Sequence, residues 1–452
     1  MKRRKFPMML EPLEKDNLAV TIVGGGLAGS EAAYQLAKRG IKVRLYEMRP
    51  KKYPPAHRTS KFAELVCSNS LGSDVLSSPA GILKAELRGL DSLIIKCADL
   101  HKVPAGWALA VDREAFSEEV TSRIGSMPSV EIIRDEVEKI GGGPAIVASG
   151  PLTSPSLASN LKALVGEDFL YFYDAVAPVV LRESINMEIA FYGSRYGYGE
   201  DYINCPLNEE EYQRFYEALI EGEVAMRHEF EEEHFFEGCL PVEVIAKRGR
   251  DALRFGPMRP VGLKDPRSGR EPYAVVQLRQ DDKEGRLYNI VGFQTNLRWS
   301  EQDRIFRLIP GLGEAEFARY GVMHRNIYVN APVVLDEYLR LKGFEDLFLA
   351  GQLAGVEGYV ESTAMGLVAA LNMFCLLKGK ALLSWPRDTA IGSLLWYLNN
   401  ANPKSFQPMN INLGLLPPLP KKIKDKRRRC EAIASSALES LRAFMESRNE
   451  LF

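Results

Sequence analysis

Two cysteines stand in settings that ordinary packing does not explain. Cys67 lies in LVCSNSL, beside Ser68, Asn69 and Ser70. A structural cysteine usually has apolar neighbours, and burial in a core is the commoner fate of the residue type. A hydroxyl-rich loop weakens that packing reading of Cys67 without removing it. Cys239 follows Gly238 and is separated from Pro241 by one residue, which predicts an irregular, accessible turn. Lys247, Arg248 and Arg250 nearby would favour its thiolate, and Glu237 would oppose it. The six cysteines, at 67, 97, 205, 239, 375 and 430, include no C-x-x-C pair. That spacing suggests reduced thiols, with neither a disulfide framework nor a metal site.

The element that must position such chemistry is Leu18–Pro50. Leu18–Val23 reads as a buried strand, and Gly24, Gly26 and Gly29 fall in the G-x-G-x-x-G spacing before a helix. The turn, with Gly25, Leu27 and Ala28 between those glycines, would set a pyrophosphate on the helix N-terminus. Glu47 ends the next strand, about 20 residues on, where a carboxylate can accept hydrogen bonds from a ribose diol. Near the other end of the chain, Asp346–Leu377 repeats the theme. A short apolar strand leads into a loop with Gly351, Gly355 and Gly358, then into a helix starting near Tyr359 or Glu361. A second glycine turn aimed at a helix N-terminus suits a long dinucleotide whose reduced ring carries negative charge, which favours FAD over NAD.

Between these ends the reading is coarser. Leu76–Ile95 and Arg113–Ile124 read as helices, and Ala145–Gly150 as a strand returning to the sheet. The stretches YAVVQLRQ and LYNIVGFQTNLRW alternate as strands do. Charge is segregated although the net charge is only −1. Thirteen acids face two bases between Glu200 and Glu237, whereas Lys247–Arg307 holds 14 bases and eight acids. Arg248, Arg250 and Arg254 in the basic half could chelate phosphate, or could pair with the acidic half. The start MKRRKFPMMLEPLEK is not a signal-peptide pattern. Met365–Leu377 is too short to span a bilayer and reads as a buried helix, so a cytoplasmic protein without a membrane partner is expected.

These residues also carry a resemblance. VGGGLAGSEAAYQLA, FAELVCSNSL, EGCLPVEVIAKRG, GPMRPVGL, YNIVGFQTNL, YGVMHRN and AGQLAGVEGYVES together resemble the folate- and FAD-dependent tRNA (uracil-5-)-methyltransferases of bacteria. The glycine motifs are shared with wider flavoproteins; the two cysteine motifs are not. The resemblance implies an α/β fold, with a Rossmann-like FAD-binding domain of the glutathione-reductase type interrupted by an α+β insertion domain. The expected division is an N-terminal tail (1–16), a discontinuous FAD-binding domain (17–180 and 325–452), and an insertion for tRNA and folate contacts (181–324).

The activity implied is methylation of C5 of the T-loop uridine of tRNA. The carbon comes from 5,10-methylenetetrahydrofolate and the electrons from FADH2, and visiting NADH or NADPH re-reduces the FAD. Cys239 and Cys67 match the family's functional cysteines, with Cys239 assigned as nucleophile and Cys67 as base or alternative nucleophile. Gln294 and Thr295, within the loop Phe293–Asn296, and Glu357 are expected to cradle the folate. No metal is expected. A small-molecule flavin oxidoreductase, or a flavin-bearing RNA-binding protein, would share the glycine motifs and differ in the labelled-carbon test.

Overall fold

The computed structural model describes residues 19–54, 56–166, 170–197, 199–225, 240–419 and 423–452. Its organising layer is a five-stranded parallel sheet. In spatial order the strands are Leu347–Leu349, Ala145–Val147, Val20–Val23, Val43–Tyr46 and Val130–Ile133. Central strands of such a sheet are covered on both faces, and Val20, Ile22 and Val23 are accordingly buried. This is the Rossmann-like arrangement that the first glycine unit predicts. The turn after the first strand needs glycine at Gly24, whose φ is +104° and where a Cβ would come within 2.5 Å of the Ala148 carbonyl oxygen.

Helix Leu27–Lys38 lies against helix Tyr359–Leu377. Their approach is so close that a Cβ on Gly366 would meet the Ala28 carbonyl oxygen at 2.2 Å. Helix Tyr359–Leu377 is longer than its apolar stretch suggests, at 19 residues, and is long and apolar enough by length and composition to cross a membrane. It is a core element here, with 78% of its most apolar window buried. The stretch read as one helix over Leu76–Ile95 is two, Pro79–Gly89 and Leu93–Leu100. Asp91 takes a left-handed φ of +62°, and the Ser92 side chain caps the second helix at Ile95 N.

The chain leaves this unit along Leu170–Ala175 and returns along Met323–Tyr328, two strands paired antiparallel with Ala175 opposite Met323. Between them a six-stranded antiparallel sheet runs Phe191–Gly193, Tyr202–Leu207, Ala274–Gln280, Leu287–Ile290, Val179–Leu181, Phe317–Arg319. It has its own core, in which Tyr212, Phe215, Phe293 and Phe306 are buried. Helix Glu209–Glu221 carries much of the acidic block and starts at a capping box made by Asn208 and Glu211. The strand-like alternation of LYNIVGFQTNLRW holds only over Leu287–Ile290. Gly292 then turns the chain with φ +77°, and Phe293 N bonds back to the Ile290 carbonyl.

Candidate active site

The first glycine turn opens onto a cleft lined by Gly26, Glu47, Ser149, Gly351, Gln352 and Tyr359 among others. Leu27 and Ala28 also face it. A Cβ on Gly26 would meet nothing within 4 Å, so a ligand can approach the backbone there. Helix Leu27–Lys38 begins at Gly26 with no side-chain cap, which leaves its first N–H groups free for phosphate oxygens. Gly29 serves packing: a Cβ on it would overlap the Gly24 carbonyl oxygen at 1.8 Å. The cleft continues to the second glycine loop. Gly351 lines it, Gly355 packs on Phe406, and Gly358, with φ +105°, is the N-cap of helix Tyr359–Leu377. A cleft joining two helix N-termini fits a long dinucleotide such as FAD.

Glu47 sits in this cleft, as its position predicts, and it already has partners. Its Oε2 accepts from Gly25 N (3.0 Å) and Arg49 Nη2 (3.0 Å), and its Oε1 from Arg49 N (3.1 Å) and Nε (2.9 Å). Burial works against its charge, but the Arg49 guanidinium and the two backbone N–H groups hold its carboxyl below the usual carboxylate range. Arg49, 1% exposed, spends its other edge on Glu64 Oε2 (2.8 Å) and the Thr59 carbonyl (3.1 Å). Sequence reasoning missed Arg49. Its proximity to Glu47 in the chain was visible, but its burial was not.

Cys67 is half-buried at the seam between the parallel sheet and the second core. Its backbone N–H and that of Ser68 both donate to Tyr359 Oη, at 2.9 and 3.1 Å. Tyr359 also lines the cleft, so one side chain ties the cysteine loop to the dinucleotide site. Burial pushes the Tyr359 hydroxyl well above its usual pKa, so it stays protonated. The Cys67 Sγ lies 3.7 Å from the Ala175 carbonyl oxygen. From the antiparallel sheet, the buried Arg279 donates Nη2 to Ser68 Oγ (2.7 Å) and Nε to Asn69 Oδ1 (2.9 Å). The polar residues that set Cys67 apart in the sequence are therefore the handles by which two units grip its loop.

Cys239 lies outside the described residues, which resume at Leu240. The segment just after it is anchored on the loop expected to cradle the folate. Val242 N donates to the Gln294 carbonyl (2.7 Å), Thr295 Oγ1 to Glu243 Oε2 (2.8 Å), and Asn296 N to Glu243 Oε1 (2.7 Å). Burial raises the Glu243 carboxyl, against the pull of these bonds. That loop in turn reaches the seam: Gly321 packs between Thr295 and Val176, and Val176 follows the carbonyl that faces Cys67. Thr295 itself is fully buried, and its hydroxyl donates to Glu243 while accepting from Leu297 N at 3.1 Å.

Glu357 is 8% exposed, and its Oε2 accepts from Gln352 Nε2 at 2.5 Å. Gln352 lines the cleft and was missed in the sequence, where it had only the glycine loop around it. Arg250 and Arg254 share the neighbourhood of Asp251 and Tyr273. Arg250 pairs with Glu209 at 3.1 Å, as the pairing alternative expects. Arg254 lies over the Tyr273 ring at 3.6 Å, donates to the Tyr273 carbonyl and pairs with Asp251. Arg248 caps helix Val242–Lys247, five residues beyond Glu243.

Residues 19–381 match the family model described as glucose inhibited division protein A. A methylenetetrahydrofolate--tRNA-(uracil-5-)-methyltransferase TrmFO from Anoxybacillus flavithermus is 57% identical over 430 residues, covering 95% of this chain and 100% of the relative. Its Bacillus subtilis counterpart of the same name is 56% identical over 429 residues, covering 95% and 99%. Among solved structures, Aquifex aeolicus GidA aligns with a TM-score of 0.69 at 15% identity, over 97% of this chain and 76% of that one. At that identity the likeness bears on the fold.

Proposed function

The chain belongs to the glucose inhibited division protein A family and, within it, to the methylenetetrahydrofolate--tRNA-(uracil-5-)-methyltransferases called TrmFO, and on that premise we propose that it methylates C5 of the T-loop uridine of tRNA. The carbon donor is 5,10-methylenetetrahydrofolate, and NADH or NADPH is the ultimate reductant. Residues 17–180 and 325–452 hold the flavin, and 181–324 supply tRNA and folate contacts. The observation that carries this reading is the Tyr359 bridge, which joins the loop of a half-buried cysteine to a dinucleotide cleft.

Gly26, the N-terminus of helix Leu27–Lys38, and the loop from Gly351 to Gly358 would hold FAD, with Glu47 and Arg49 beside its ribose. Reduced FAD supplies a hydride when bound. The chain's own residues do the rest. Uracil C5 is a weak nucleophile until a thiolate adds at C6. The S–C6 bond forms as the C5=C6 pair moves onto the O4 side as an enolate, and Cys239 is assigned that attack. The enolate carbon attacks the folate methylene. Cys67, held by Tyr359 at the seam, then takes the C5 proton as base, and its position beside the cleft supports that assignment. The attack opens one C–N bond of the folate methylene, and loss of the C5 proton breaks the other. Tetrahydrofolate leaves with the pair on its nitrogen, and an exocyclic methylene remains on C5. Hydride delivered to that methylene gives the methyl group as C5=C6 re-forms and the C6–S pair returns to the enzyme thiolate. Glu357 and Gln352 offer polar atoms to the amino edge of the pterin. The target uridine is stacked within folded tRNA, so it must be flipped out to reach the thiol.

The test is carbon transfer into unmodified tRNA from methylene-labelled methylenetetrahydrofolate, with methyl-labelled S-adenosylmethionine as the competing donor, each with and without NAD(P)H. Label that arrives from folate only when reductant is present is the expected result. Oxidation of NAD(P)H with no label from either donor would replace this reading with a small-molecule flavin oxidoreductase.

A further inference from the structure

The seam beside Cys67 holds more positive charge than its acids balance. Arg113, the first residue of helix Arg113–Gly125, pairs with Asp281 at 2.9 Å and donates Nη1 to the Leu65 carbonyl. Arg279 is 7% exposed and gives its bonds to neutral acceptors, Ser68 and Asn69. Arg319, at the end of strand Phe317–Arg319, has its Nε and Nη2 buried with no hydrogen-bond partner. Asp281, the acid that Arg113 binds, also lies within electrostatic reach of Arg279 and Arg319, and neither of those two forms a close ion pair among the described residues. Burial lowers the pKa of Arg319 to about 10, with Arg113 adding to the effect, so it remains a cation at neutral pH.

This arrangement is costly in the resting chain. Arg319 is half-buried, and its Nε and Nη2, shut off from solvent, forfeit hydration and gain no acceptor. The orphaned pair, Nε and Nη2, is one edge of the guanidinium fork, the edge that chelates a planar or tetrahedral oxyanion with two parallel bonds. Its location is also informative. Arg319 is paired in register with Val179, four residues beyond Ala175, whose carbonyl faces the Cys67 Sγ. Tyr359 lies within electrostatic reach of both Arg319 and Arg113.

We propose that Arg319, backed by Arg113 and Arg279, forms an oxyanion subsite beside Cys67 that receives a carboxylate or phosphate group of a bound substrate. The tRNA and folate reading enters only in naming the source, which is either a glutamyl carboxylate of the folate or a phosphate of the tRNA. The incoming oxyanion satisfies both orphaned donors, Nε and Nη2.

The experiment uses the full FAD-loaded chain with Arg319→Met, which keeps the length and removes the charge, and Arg319→Lys, which keeps the charge and removes the fork. Thermal unfolding of Arg319→Met should equal or exceed that of wild type, because an uncompensated charge has gone. Affinity should fall by roughly tenfold to a hundredfold, the scale of a lost charge-assisted bond. If the carboxylate is the source, the loss appears for tetrahydrofolate, followed by flavin absorbance, and is absent for a tetrahydropterin lacking the glutamyl group. If phosphate is the source, it appears for tRNA and flattens the salt dependence of binding. Unchanged affinity for both ligands overturns the subsite. So does a lower unfolding temperature in Arg319→Met that Arg319→Lys restores, since the charge would then be structural. Failure of the wild type to methylate, with Arg319-dependent binding intact, would remove the proposed reaction and leave the subsite standing.

Discussion

Thr295 donates its hydroxyl to Glu243 at 2.8 Å, joining the loop Phe293–Asn296 to the segment that follows Cys239 across 52 positions of chain. Both side chains are buried, so the bond is shielded from solvent and its loss leaves a buried acceptor short of a donor.

Thr295→Val keeps the side-chain shape and removes both that donor and the acceptor of Leu297 N. It should cost about 1–3 kcal/mol of stability in urea unfolding. Methylation should slow with the flavin absorbance unchanged, because the variant acts on the Cys239 side of the seam. A fall in bound flavin would instead assign the loop to the cofactor site.

Tyr359→Phe removes the shared acceptor of Cys67 N and Ser68 N and fills the same volume. The two N–H groups then compete for water, and the cysteine loop loses its tie to the cleft. Turnover should drop by about 10- to 100-fold while FAD stays bound, as expected when one positioning contact near a reacting group is lost. Full turnover would show that the loop holds its place through its bonds to Arg279, Arg113 and the Val111 and Gln280 carbonyls.

Gly26 and Gly29 should fail in opposite ways. Space is open around a Cβ on Gly26, so Gly26→Val should fold with near wild-type stability and purify without yellow colour. A Cβ on Gly29 would overlap the Gly24 carbonyl oxygen, so Gly29→Ala should lower the unfolding midpoint. Retention of FAD by Gly26→Val would move the pyrophosphate elsewhere.

Glu361, buried in the first turn of helix Tyr359–Leu377, accepts from Ile411 N at 3.0 Å. Burial raises its carboxyl from 4.5 to about 7, and Lys84 only partly offsets this. The folded chain therefore holds that proton more tightly than the unfolded chain. Its contribution to stability is full below about pH 4.5 and is lost as pH rises through 7. Urea unfolding between pH 5 and 8 should show wild type losing stability more steeply than Glu361→Gln. Parallel slopes would exclude Glu361 as the cause.

The dinucleotide unit was legible in the sequence because its demands are local. A left-handed φ at Gly24 and a tight contact at Gly29 are requirements on neighbours in the chain, and the strand and helix patterns flank them. The seam was less legible. Tyr359 reaches Cys67 across 292 positions and Arg279 reaches Ser68 across 211, and no periodicity records such a pairing. Ser68 and Asn69 were noticed as an odd setting for a thiol, but their partners belong to strands that only the folded sheet brings near. Charge counting had the same limit. It found the basic block of the insertion, yet Arg113 and Arg319 matter through burial, which a tally of lysines and arginines does not see.

The pairing of Ala175 with Met323 has an evolutionary reading. Everything between them leaves and re-enters through two neighbouring strands, so removing it would leave flanks that a short turn can rejoin. A segment with adjacent ends can be lengthened or exchanged without disturbing the order of the parallel sheet. A change within that segment therefore reaches the parallel sheet only through those two strands and the side chains that meet at the seam.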